Sequence, residues 1–120
     1  MHELSICLSL LDQVGEIARQ QGASRVERIH LRVGPLAGLE PALLQSAWPL
    51  AAAGTIAEAA ALVIESSPIR VRCVDCGTES TATPNRLLCG SCGGFHTRLV
   101  SGDELLLARL ELSIPEAGDE

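Results

Sequence analysis

Two Cys-x-x-Cys pairs, Cys73-Val-Asp-Cys76 and Cys89-Gly-Ser-Cys92, carry the plainest chemistry in this 120-residue chain, and each is followed at once by glycine, Gly77 and Gly93. Two residues between ligands let the chain curl so that both sulfurs face one ion. The following glycine permits the positive φ that aims backbone N–H groups at them. Four thiolates fill a tetrahedron and leave no position for water or substrate, so a structural site is expected rather than a catalytic one. Zinc is the expected ion. The same motifs resemble rubredoxin knuckles, and the ligand set alone does not separate zinc from tetrathiolate iron. The segment from 69 to 98 has few large apolar residues, so the folding free energy it lacks would come from the metal.

The second candidate is the chain start, Met1-His2-Glu3. A polar stripe through Ser5 and Ser9 extends back to His2, which places the imidazole on the accessible side of a helix. The Met1 amine, the His2 amide nitrogen and the His2 imidazole can chelate one ion, and nitrogen donors in a plane suit Ni(II) or Cu(II). A single histidine beside the first residue is also what an ordinary solvated terminus looks like, and the residues alone leave both readings open.

The elements that must position these groups follow from periodicity. Ser5, Ser9, Asp12, Glu16 and Arg19 recur at helical spacing, with Leu4, Cys7, Leu8, Leu11, Val14 and Ala18 opposite, and Gly22 supplies a stop. Val26 to Val33 alternates as a half-buried strand. Glu40-Pro41 opens a second helix, in which Pro49 should cause a kink or a split. Leu62 to Val71 reads as a second strand bent at Ser66-Ser67-Pro68. Glu104 to Leu112 reads as a third, whose run Leu105-Leu106-Leu107-Ala108 predicts a well-buried place in the sheet. The expected fold is α+β: two helices on one face of a small mixed three-stranded sheet, with an inserted zinc-ribbon-like module of four cysteines. Residues 1–70, completed by 99–114, would form the α/β domain, 71–98 the zinc module, and 115–120 a short acidic disordered tail.

Bulk properties remove several classes. A formal charge of −6 and 2% aromatic residues argue against a phosphate-tracking protein with stacking rings. The four arginines of the cysteine segment are offset by Asp75, Glu79 and the charge of a tetrathiolate site, and Phe95 is its single ring. No nucleic acid and no membrane partner is therefore expected. The start has no basic leader and no apolar span, which predicts a cytoplasmic protein, where five cysteines read as ligands or buried thiols rather than disulfides. No nucleophile–base set, phosphate loop or open metal site is visible, so the chain is not expected to be an enzyme. Cys7 reads as a small buried hydrophobe, His30 as part of a solvated strand face and Trp48 as packed against the sheet.

Taken in order, Met1-His2-Glu3-Leu4-Ser5, the helix, Val33-Gly34-Pro35-Leu36, Ala53-Gly54-Thr55, the tetracysteine insertion and Gly102-Asp103-Glu104-Leu105 closely resemble the HypA/HybF family over nearly the whole chain. These are nickel-insertion metallochaperones of NiFe-hydrogenase maturation. The resemblance implies Ni(II) at His2, with the Met1 amine and Glu3 in support, and structural Zn(II) at Cys73, Cys76, Cys89 and Cys92. It implies handover within a complex containing a maturation GTPase and the hydrogenase large subunit, and in some members a role in urease maturation. Glu40 stands where the family tends to carry an acid and could approach the nickel as an oxygen ligand or an outer partner, although a negative charge favoured at a helix N-terminus is the simpler reading. Gly77 and Gly93 occupy positions where some members place histidines, leaving His96 as a weak substitute, and Gly90 replaces a common proline. A structural zinc adaptor with an inert terminus and a nucleic-acid-binding zinc ribbon are the competing readings, and monomer or homodimer stays open.

Overall fold

The computed structural model describes residues 2–115; the Met1 amine and residues 116–120 of the expected tail lie outside the described residues. The described residues divide into two compact units, one of residues 2–31, 40–64 and 107–115, the other of 32–39 and 65–106.

In the first unit, α1 (His2–Gln20) buries Cys7, Leu10, Val14 and Ala18, whose spacing keeps them within one helical arc. Leu8, expected on that arc, is 50% exposed. It stands about 100° round the helix from Cys7, at the rim of the packed face, whereas Leu10 lies inside it. Gly22, at φ 68°, ends the helix, and Ala23 N–H closes back on the Ala18 carbonyl, a C-terminal cap that needs a left-handed residue. β1 (Arg25–Val33) contributes Val26, Ile29 and Leu31 to the same core.

Helix α2 (Pro41–Ala52) starts on a proline and buries Leu44, Trp48 and Ala52. It is not split at Pro49, which lies inside the helix on its exposed side. The helices meet where the Cys7 thiol points at the Leu44 carbonyl, 3.7 Å away, and Cys7 is fully buried as expected. β2 (Ala61–Ser66), β1 and β6 (Leu105–Ser113) form a sheet in the order β2-β1-β6. Here β6 is an edge strand without one fully buried residue. Its apolar run therefore misled on burial, because a strand paired on one side only leaves side chains such as Leu106 half exposed.

The second unit carries the other sheet, β3 (Ile69–Cys73), β4 (Glu79–Ala82) and β5 (Thr97–Ser101), in the order β4-β3-β5 and antiparallel throughout. The strand expected over Leu62–Val71 is thus two strands in two sheets, broken at Ser67-Pro68. Proline offers no N–H to a ladder, so pairing stops there. The α+β class with two helices and a four-cysteine module is the one observed, with two small three-stranded sheets rather than one. Within the second unit Gly34 N–H donates to the Glu104 carbonyl and Leu36 N–H to the Gly102 carbonyl, at 2.8 and 2.7 Å. A Cβ on Gly34 would sit 2.1 Å from the Gly102 oxygen, so only glycine allows this crossing.

Candidate metal centre

The four cysteines converge. Cys73 ends β3, and the chain then turns so that Gly77 N–H reaches the Cys73 carbonyl at 2.9 Å while Cys76 N–H points at Cys73 Sγ at 3.4 Å. The second knuckle repeats the turn: Gly93 N–H reaches the Cys89 carbonyl at 2.9 Å, and the N–H groups of Ser91 and Cys92 point at Cys89 Sγ at 3.3 Å. Gly77 and Gly93 have φ of 76° and 75°, the conformation expected of them. The knuckles are pinned to their surroundings by Gly90 N–H on Ser80 Oγ and by Thr97 Oγ1 on the Leu87 carbonyl, at 2.9 and 2.7 Å.

All four sulfurs lie within 4.8 Å of one another, with Cys73 Sγ to Cys92 Sγ at 3.7 Å and Cys76 Sγ to Cys89 Sγ at 3.5 Å. A tetrahedron with zinc–sulfur bonds of about 2.3 Å has edges of about 3.8 Å. The residues therefore fit a closed tetrathiolate zinc site, where the ion would cross-link two knuckles and leave no position for a reactant.

The electrostatics agree. The hydroxyl and N–H of Thr78 pull the Cys76 thiol down to about 6, and the N–H groups of Cys92 and Ser91 lower Cys89. At Cys92 the Gly94 N–H favours the thiolate, yet the neighbouring sulfurs of Cys73, Cys89 and Cys76 outweigh it and push the thiol up to about 12. Sulfurs this close cannot all ionise by themselves. A divalent cation among them reverses the balance. Among the described residues the group drawn together contains no histidine. His96 instead sets Nδ1 3.2 Å from Asp75 Oδ2 and leans on the Phe95 ring.

At the chain start, His2 is the first residue of α1 and is exposed. The neighbouring Glu3 carboxylate lies 3.4 Å from the backbone N–H of Glu40, the residue preceding α2, whose own side chain makes no capping bond. A carboxylate from one helix thus sits at the positive end of the other. The resemblance raises the Glu40 side chain as an acid able to approach the nickel; the contact made here, from the Glu40 backbone N–H to Glu3, has no local signal in the sequence.

Sequence reading missed the environment of His30. Instead of a solvated ring, its side chain is 13% exposed, with Nε2 2.8 Å from Glu111 Oε2 and 3.2 Å from Arg109. Arg28 and Arg109 bind the same Glu111 carboxylate. The alternation of Arg28 with His30 and of Arg109 with Glu111 was the available signal, since residues two apart share a strand face.

The family model described as hydrogenase/urease nickel incorporation, metallochaperone, hypA matches residues 1–112. The hydrogenase maturation factor HypA of Nitrosospira multiformis is 47% identical over 112 residues, covering 93% of this chain and 97% of that one. That of Aquifex aeolicus is 39% identical over 114 residues, covering 95% and 99%. The solution structure of the Ni metallochaperone HypA from Helicobacter pylori shares the fold with a TM-score of 0.70 at 23% identity, over 94% of this chain and 98% of that one. With its family match running from the first residue through the cysteine module and into β6, the chain belongs to the HypA family of hydrogenase/urease nickel-incorporation metallochaperones.

Proposed function

We propose that the chain carries Ni(II) as cargo at its N-terminus, through the His2 imidazole, the His2 amide nitrogen and the Met1 amine, with the Glu3 carboxylate as a supporting group. Delivery would go to a maturation GTPase and the hydrogenase large subunit, with urease as a further recipient class. The observation that carries the reading is His2 exposed as the first residue of α1 in a chain of this family. Glu3 supports it, since its carboxylate is turned toward Glu40 rather than away along the helix. Cys73, Cys76, Cys89 and Cys92 would hold the resident zinc, which contributes shape and folding free energy to the second unit. An amine, amide and imidazole set must shed protons to bind, so cargo affinity falls as pH drops, which gives a route to release.

Titrating Ni(II) into the zinc-loaded protein with a free Met1 amine tests this. His2→Ala, and separately one extra residue before Met1, should each weaken binding by about 100-fold or more, because even outer-shell changes at metal sites cost about 10–100-fold. Equal stoichiometry and affinity in all three proteins would leave the zinc adaptor reading instead.

A further inference from the structure

The second unit contains a cavity of about 550 Å³ that is separate from the sulfur cluster. Arg32, Glu65, Ser66, Ser67, Ser101 and Glu104 are among its lining residues. Its walls are partly built and partly free. Ser67, 5% exposed, donates its hydroxyl to Glu104 Oε1 at 2.7 Å, and Gly102 N–H donates to the same oxygen at 2.8 Å. Ser101 Oγ ties the opposite segment to the Pro68 carbonyl at 2.8 Å. These bonds fix one carboxylate at the cavity wall and hold Glu104 below the usual carboxylate range, its own N–H, the Ser67 hydroxyl and the Gly102 N–H favouring the charge, with the nearby Arg32 guanidinium adding to them. Arg32 and Glu65 are exposed.

The cavity therefore shows one guanidinium and two carboxylates around a polar floor, a net charge of −1 from three groups. A simple anion would meet two carboxylates, and a simple cation would meet Arg32. The complement is a dipolar ligand, with one carboxylate for the arginine and cationic nitrogen for the two acids. We propose that this cavity binds a basic amino-acid group bearing a free carboxylate, either the free amino acid or the C-terminal residue of a peptide. Arg32 takes the carboxylate, while Glu104 and Glu65 take the cationic side chain.

The test is an amide-resolved NMR titration of zinc-loaded full-length protein with four probes: L-arginine, L-argininamide, a short peptide ending in arginine, and the same peptide with an amidated end. Saturable shifts should be confined to residues 32, 65–67 and 101–104, with the carboxylate forms binding about five- to tenfold more tightly than their amides, the range for exposed charge-assisted contacts. The tighter of arginine and arginine-ended peptide identifies the source. Arg32→Gln should abolish the acid-over-amide preference, and Glu65→Gln should weaken every probe; both positions are exposed, so the fold survives the change. No saturable shift with any probe, shifts elsewhere, equal affinity of acid and amide forms, or binding unchanged in both variants would each overturn the assignment.

Discussion

Single residues decide two of the tightest places in the molecule. At Gly34 the neighbouring strand connection passes so close that a methyl group would overlap the Gly102 carbonyl at 2.1 Å. Backbone cannot retreat as a flexible side chain can. Gly34→Ala should therefore lower the stability of zinc-loaded protein by about 2 kcal/mol or more, and an unchanged denaturation midpoint would show that the crossing has room to open. Gly90 makes the opposite point. Its N–H donates to Ser80 Oγ, a bond that proline in its place could not make. Both glycines were visible in the sequence, but their reasons were not, because each answers to a neighbour ten or more residues away.

At the scale of elements, α2 carries a mismatch that the fold tolerates. Pro49 removes one N–H from a helix that nonetheless continues to Ala52. The proline is exposed, so Pro49→Ala should regain the bond at little packing cost and raise stability by about 1–2 kcal/mol, the helix gain less the loss of chain restriction in the unfolded state. A thermal midpoint, followed by helical circular dichroism, that fails to rise would mean that the last turn is set by packing alone. The β1–β6 pair carries a pH dependence. Hydrogen bonding to His30, then to Arg109, depresses the Glu111 carboxyl. Its contribution is fully present above the ordinary glutamate value of about 4.3 and is lost as pH falls through the lower folded value. The stability gap between the native protein and Glu111→Gln should accordingly close below about pH 4; a gap that persists in acid would remove the ionised Glu111 from the account. Helix positions, the Gly22 stop and the knuckles could be read from local spacing. The strand break at Ser67-Pro68 and the edge position of β6 could not, because sheet partners are long-range facts that an apolar run such as Leu105–Ala108 does not encode.

For the whole molecule, the cysteine site was readable because its four ligands are paired in sequence and need only one turn each to converge. The proposed cargo site could be read only in outline, because its donors are the first residues of the chain and gain meaning from what packs beside them, as Glu3 does at Glu40. The two units draw on different sources of stability. The first is built on buried Ile29, Leu31, Leu44 and Val14, whereas the second buries little beyond Val33, Ile69, Val71, Cys73 and Cys89. Zinc chelation, or Cys73→Ser, should release the amide protection of β3, β4 and β5 while α1 and α2 retain theirs, as hydrogen exchange would report. Simultaneous loss of both sets would show one cooperative body. Trp48 offers a second way to watch this. It is the one tryptophan in a chain without tyrosine, it is 4% exposed, and its indole N–H has no bonding partner within the described residues. Tryptophan emission from the protein therefore comes from a single buried ring on α2, which would shine blue-shifted while the core around it stays closed.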